Sequence, residues 1–319
     1  MPSTTYRAVA IINAASGADD KERMPDQVRE IFQDHGIPCE VEKVTAGANI
    51  AAMAHDAAAR GAEVVMAGGG DGTLRAVAEG LAGTETVMAV LPVGTLNHFA
   101  RDLEMPLDFE QAVEVAATGT PVNVDVGQAN GRVFINNAVI GLYPAYRSER
   151  DRREARGWGG RAAMLAGMLA TVWRYPILTV RFEVNAAAVV RRTPYILIGN
   201  NEHAMEGSKP WERGSMTEGR LWVYILRDQS RLAFVRILLN VLLGRFHGPD
   251  EFDVIHTGAV SVQARRKRLA VSLDGEIVKL DSPVQFRSWP RALRAMVPAG
   301  SKRVSEFVCE LEGGVPSAS

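Results

Sequence analysis

The chain has 319 residues, 47% hydrophobic and 23% charged, which is material for a sizeable core and, at roughly 100–200 residues per domain, points to two domains. Lys and Arg number 36 against 37 Asp and Glu, a net charge of -1 that argues against a dedicated nucleic-acid binder. Two cysteines, Cys39 and Cys309, exclude a disulfide framework or a four-ligand zinc site and suit a reducing, cytoplasmic compartment. The amino-terminal residues lack the pattern of a signal peptide, and no stretch approaches the ~18 apolar residues of a membrane span, so any membrane contact is expected to be peripheral.

The first 125 residues alternate between strand and helix patterns. Ala8–Ile12 is an apolar strand that ends in Asn13-Ala14-Ala15-Ser16-Gly17. Met24, Val28, Ile31 and Phe32 follow at helical spacing and stop at Gly36. Val41–Val44 is a second strand, Asn49–Arg60 a helix, and Glu63–Ala67 a third strand that runs into Gly68-Gly69-Gly70-Asp71-Gly72-Thr73. Leu74–Leu81 reads as helix, Val87–Leu91 as a fourth strand, and Asp108 with Gln111 as the capped start of a helix to Ala117. Such alternation predicts a layered α/β domain with parallel pairing.

After Pro121 the texture becomes β-rich. Arg132–Ile140, Leu178–Val184, Ala188–Arg191, Tyr195–Ile198, Leu221–Leu226, Ala259–Ala264, Leu269–Leu273 and Val284–Arg287 are short runs with turns between them, which predicts an antiparallel sandwich. Gly160–Trp173 and Leu232–Phe246 interrupt the pattern as apolar helices. The expected domains are 1–125, rejoined by 291–312, then 126–290, with a flexible tail at 313–319.

Chemistry concentrates where strands end. In the loop Gly69-Gly70-Asp71-Gly72-Thr73 the glycines allow close main-chain approach, and the free N–H groups of the following helix suit phosphate oxygens. Asp71 would repel phosphate unless it worked through Mg²⁺ or handled a proton. An ordinary capped turn explains that loop alone equally well. Pro92-Val93-Gly94-Thr95-Leu96-Asn97 repeats the arrangement, and with Asn13–Gly17 and Thr45 it would share one edge of a parallel sheet. No Gly-Lys-Ser/Thr of a Walker A loop is present. Asp274-Gly275-Glu276 between Leu273 and Ile277 reads first as a hairpin turn.

Gly69-Gly70-Asp71-Gly72-Thr73 together with Pro92-x-Gly94-Thr95-x-Asn97-x-Phe99-Ala100 resembles the diacylglycerol kinase catalytic domain, and the chain looks like a bacterial soluble lipid kinase of the diacylglycerol/sphingosine kinase superfamily. Val124-Asp125-Val126-Gly127, Phe134-x-Asn136, Gly199-Asn200-Asn201 and Leu273-Asp274-Gly275-Glu276 follow in the expected order, so the resemblance spans nearly the whole chain. It implies an NAD kinase- or phosphofructokinase-like α/β domain, a β-sandwich that holds the lipid, and a last strand, Leu293–Val297, returning to the first domain. It implies ATP and Mg²⁺ as cofactors. The ATP site would be lined by Asn13, Ala14, Ala15, Ser16, Gly17, Thr45, Gly69, Gly70, Asp71, Gly72, Thr73, Leu74, Arg75, Ala76, Gly94, Thr95 and Asn97. It ranks Glu276, beside Asp274, as proton acceptor for the lipid hydroxyl, with Asp71 as metal-linked partner or alternative base. Asp125 would stand behind the metal.

Two departures accompany the resemblance. His98 stands where many relatives carry Asp, and Glu218-Gly219-Arg220-Leu221 replaces an Asp-Gly-x-Leu segment that in relatives holds a structural Mg²⁺, leaving Glu218 with the Leu221 and Val223 carbonyls as a weakened ligand set. The expected activity is transfer of the ATP γ-phosphate to a lipid hydroxyl at a membrane surface, by a cytoplasmic, transiently membrane-associated protein, with room for a homodimer. An NAD kinase-like enzyme and a lipid- or nucleotide-binding regulator are the competing readings. Arg147, Arg150, Arg152, Arg153 and Arg156, close to Trp158, suit an anionic membrane interface.

Overall fold

The computed structural model describes residues 7–13, 23–174, 177–184, 187–202, 213–228 and 251–311, with 230, 232, 235, 236, 239 and 240. The chain divides into two compact units: Met1–Val126 with Ser215–Gly219 and Trp289–Ser319, and Gly127–Gly214 with Arg220–Ser288.

In the first unit, β1 (Ala8–Ile12), β2 (Cys39–Lys43), β3 (Val64–Gly69) and β4 (Val87–Pro92) lie in the order β2-β1-β3-β4, every pair parallel. All residues of β1, β3 and β4 are buried, as expected for strands covered on both faces. The covering helices are α1 (Met24–Asp34), α2 (Ile50–Ala59), α3 (Asp71–Leu81), α4 (His98–Asp102) and α5 (Phe109–Thr118). Asn49 Oδ1 caps α2 by accepting the Ala52 N–H at 3.2 Å, and Asp108 caps α5 through the Gln111 N–H at 3.0 Å. α3 begins three residues before the expected Leu74, so Gly72 and Thr73 already belong to its first turn.

The second unit holds two sheets. One is antiparallel in the order β12 (Phe252–Thr257), β11 (Leu221–Leu226), β10 (Tyr195–Asn200), β7 (Asn137–Gly141), β14 (Arg268–Leu273), β15 (Glu276–Asp281). In the other, β9 (Ala187–Thr193), β8 (Leu178–Val184) and β13 (Ala259–Ala264) pair in turn, and β13 pairs with the start of β16 (Val284–Val297). Phe182, Val262 and Phe286 of the second sheet meet Ile140, Ile198, Val223 and Val271 of the first in one apolar core, a β-sandwich. The end of β5 (Thr120–Ala129) forms a hairpin with β6 (Arg132–Phe134), and α6 (Leu142–Glu154) and α7 (Gly160–Arg174) belong to the same unit.

Three expectations change. Arg132–Ile140 is two strands, broken at Ile135-Asn136 for a reason given below. Val284–Arg287 and Leu293–Val297 fall in one strand, β16, which turns through a left-handed residue at Arg291, φ 53°, directly after Pro290; its end pairs parallel with β4 in the first unit. β12 was not foreseen. The expected helix Leu232–Phe246 lies largely, and the tail 313–319 wholly, outside the described residues. Among the described residues no helix is long and apolar enough to cross a membrane.

Asp125, fully buried, joins three segments of the first unit. Its Oδ2 accepts the Gly219 N–H at 2.6 Å, its Oδ1 the Arg291 N–H at 2.8 Å, and its own N–H donates to the Met216 carbonyl at 2.9 Å. Gly219 and Arg291 both have positive φ, 66° and 53°, so the carboxylate holds two left-handed corners. Asp125→Ala is expected to lower stability by about 2–4 kcal/mol, since hydrogen bonds to a charged group are worth roughly 1.5–3 kcal/mol each. Chemical denaturation of the variant checks this, and an unchanged midpoint would contradict the assignment.

Candidate active site

The carboxyl ends of β1 to β4 share one edge of the parallel sheet, and the expected loops gather there. Asn13 follows β1 and donates from Nδ2 to Thr73 Oγ1 at 3.1 Å, joining the first loop to the first turn of α3. Val44 N–H donates to the Ile12 carbonyl at 2.9 Å, which brings Thr45, exposed, beside the end of β1. Ala14, Ala15, Ser16 and Gly17 lie outside the described residues.

The two glycine-bearing loops nearly touch. A Cβ on Gly94 would fall 2.7 Å from the Gly70 Cα and 2.7 Å from Asn97 Oδ1, so glycine is required there by space rather than by φ. Asn97, itself at φ 51°, staples the second loop: Oδ1 accepts the Gly94 N–H at 3.0 Å, while Nδ2 donates to the carbonyls of Gly94 at 2.9 Å and Pro92 at 3.3 Å. Its side chain therefore shapes the loop and is committed away from a ligand. Thr95 stays exposed. Leu74 is a core residue, and the buried Arg75 donates to Glu79 at 2.8 Å, so what these two offer a ligand is main chain. Gly69 closes against Thr73, whereas a Cβ on Gly72 would meet no atom within 4 Å. Gly72→Val is thus expected to fold normally while placing a branched side chain over the first turn of α3, and calorimetry should find ATP binding weakened at least tenfold. Unchanged affinity in the folded variant would put the nucleotide elsewhere.

Asp71 opens α3 after Gly70. Burial pushes its pKa up, with a further upward push from the Asp102 carboxylate; the charge of His98 and the N–H groups of His98 and Phe99 pull it down. Asp71 Oδ1 is buried without a hydrogen-bond partner among the described residues. A buried carboxylate oxygen left open in this way fits a hydrated divalent cation, and Mg²⁺ needs only one or two carboxylates when phosphate and water complete its shell. Among the described residues no group of three or more His, Cys, Asp or Glu could hold a metal. Asp102, buried one turn after His98 on α4, escaped the sequence reading because nothing in the loop motif marks it. Its carbonyl accepts Arg303 Nε at 2.8 Å, which fastens α4 to α8 (Lys302–Leu311).

In the second unit, Leu273-Asp274-Gly275-Glu276 is the two-residue hairpin between β14 and β15, with Asp274 and Gly275 at φ 47° and 87°. The turn does more than reverse the chain. Asp274 accepts the N–H groups of Ile135, Asn136 and Asn137 at 2.7, 2.8 and 2.9 Å, which is why the strand pattern breaks at 135–136. The Asp274 carboxylate therefore clamps the main chain of residues 135–137. Glu276, exposed, is left as the acid of this motif that faces solvent. The clamped segment is gripped from its carbonyl side as well: Asn200 Nδ2 and Arg213 Nη1 donate to the Ile135 carbonyl at 3.1 and 2.8 Å, and Arg213 Nη2 reaches Asn136 Oδ1 at 3.3 Å. Arg213 is 1% exposed, and no sequence motif announced it.

Both Asp125 oxygens accept main-chain N–H groups, so the residue ties segments of the first unit together. Leu221 and Val223 sit in β11, paired with β10 on one side and β12 on the other.

A family model for the diacylglycerol kinase catalytic domain matches residues 7–129, and one for the YegS C-terminal NAD kinase beta sandwich-like domain matches residues 147–297. The diacylglycerol kinase of Bacillus subtilis is 27% identical over 92% of this chain and 96% of its own length. A protein of Pseudomonas aeruginosa named "Probable lipid kinase YegS-like" is 31% identical over 80% of this chain and 83% of its own length. A crystal structure of a diacylglycerol kinase from Bacillus anthracis str. Sterne superposes with a TM-score of 0.69 at 18% identity, over 92% of this chain and 98% of that one, which supports the two-part fold.

Proposed function

Since the chain belongs to the lipid kinase family defined by the diacylglycerol kinase catalytic domain and the YegS-type sandwich, we propose that it moves the γ-phosphoryl group of ATP to a hydroxyl of a diacylglycerol-like lipid at a membrane surface. The observation that carries this reading is the pair of glycine loops meeting at Gly70 and Gly94 beside a buried, open Asp71 oxygen.

In this account the N–H groups at the start of α3, with the Thr73 hydroxyl held by Asn13, receive the ATP phosphates. Thr45 and Thr95 border the nucleotide. Asp71 would hold Mg²⁺, which when bound draws charge from the phosphate oxygens. Glu276 takes the proton of the lipid hydroxyl as that oxygen bonds to the γ-phosphorus; the bond to the bridging oxygen breaks and ADP leaves with the electron pair. Asp274 holds the Glu276 turn at a fixed height above Ile135–Asn137. His98 stands near Asp71 in place of an Asp found in many relatives, so this chain has one carboxylate fewer there, and a lower affinity for Mg²⁺ follows.

Purified protein incubated with labelled ATP, Mg²⁺ and a mixed lipid extract, with NAD in a parallel tube, tests the reading. Label is expected in the lipid phase. Label in NADP, or in neither product, would replace it with one of the competing readings.

A further inference from the structure

Helix α7 is inverted relative to an ordinary surface helix. Its buried face carries Ala163, Gly167, Met168 and Thr171, and Gly167 lies so near the Arg150 backbone of α6 that a Cβ there would come within 3.2 Å. Its outer face carries Leu165, Leu169 and Trp173 at i, i+4 and i+8, exposed by 50%, 58% and 79%. Trp158, 50% exposed, stands in the turn before the helix. A water-facing helix normally turns its large apolar side chains inward, so a ridge of this kind marks a contact surface.

We propose that the α7 ridge is the surface by which this protein docks on an anionic lipid bilayer. The choice of a bilayer rests on the lipid-kinase reading, because the substrate then lies in a membrane while no described helix can span one. Charge supports the same occupant. Residues 147–174 hold seven arginines against three acids, an excess that attracts anionic headgroups and repels a second copy of the same face. Tryptophans at both ends of the ridge suit the depth of the headgroups.

The structure also redistributes the work expected of the arginines. Arg147 pairs with Asp151 at 3.1 Å, Arg150 with Glu154 at 2.9 Å, and Arg152 and Arg153 both with Glu149. These heads are engaged along α6. The net excess steers the approach, and the apolar ridge supplies the hold.

The test is cosedimentation of the full chain, without ATP, with phosphatidylcholine vesicles that contain or lack phosphatidylglycerol, for the wild type and for a Leu165→Gln, Leu169→Gln, Trp173→Gln variant. The wild type should partition onto the anionic vesicles with a blue shift in tryptophan emission, and the variant at least tenfold less. An equal melting temperature and unchanged turnover of a short-chain, water-soluble diacylglycerol would exclude misfolding as the cause. Wild-type protein that ignores anionic vesicles, or a variant that binds like the wild type, overturns the proposal. So does a variant whose sedimentation coefficient falls because a dimer has come apart, which would make the ridge a contact between copies. Docking that depends on the ridge stands even if no lipid gains phosphate, an outcome that counts against the kinase reading alone.

Discussion

Asp71→Asn is expected to lower lipid phosphorylation by about 10²–10³-fold, the usual loss when one group that meets developing charge is removed, and at the same time to raise thermal stability at neutral pH. The second effect follows from burial. In the protein free of ATP and Mg²⁺, the folded state raises the pKa of Asp71 and so binds its proton more tightly than the unfolded chain does. That contribution favours folding below the unfolded carboxylate value and is lost as pH rises through the folded one. Asparagine does not titrate, can still accept the N–H groups of His98 and Phe99, and removes the buried charge. The melting temperature of the variant should therefore exceed that of the wild type by more at pH 7.5 than at pH 4. A variant less stable than the wild type at pH 7.5 would mean that Asp71 serves the fold rather than the chemistry.

Glu276→Gln and Asp274→Asn should fail in different ways. Loss of a general base typically costs about 10²–10⁴-fold in rate, so Glu276→Gln is expected to lose turnover at that scale with ATP affinity and melting temperature unchanged. Asp274→Asn keeps one acceptor oxygen for three N–H donors and loses the charge that strengthens them. It should lower stability by about 2–3 kcal/mol, the scale of charge-assisted bonds, with a rate loss secondary to the displaced turn. Near-normal turnover in Glu276→Gln beside an inactive Asp71→Asn would move the base to Asp71.

Legibility tracked locality. The strands of the first unit were readable because buried parallel strands are continuous apolar runs, and Asn49 and Asp108 announced their helices by capping chemistry. The glycine loops were readable as strand-to-helix turns on one sheet edge, while the reason for Gly94 was not: it is the approach of Gly70, 24 residues away in sequence, that leaves no room for a side chain. The clamp at Asp274 was hidden for the same reason. Its motif names an acid, but its three donors come from residues 135–137. Arg213 and Asp102 belong to no motif, since one is defined by carbonyls far along the chain and the other by a helix end. The inversion of α7 is likewise invisible to periodicity, which locates an apolar stripe without saying whether it meets protein or solvent.

The central claim is transfer of the terminal phosphoryl group to lipid, and parallel reactions with α-labelled and γ-labelled ATP test it most directly. Vesicles of diacylglycerol and phosphatidylglycerol, Mg²⁺ and the full chain are incubated together and extracted into organic solvent. Expected are γ label in the organic phase as a phosphorylated lipid and α label retained in water as ADP, with the organic γ label about 10²–10³-fold lower for Asp71→Asn and its α label left in water as ATP. Both labels in water, with γ label as inorganic phosphate or in NADP when NAD is supplied, would contradict it.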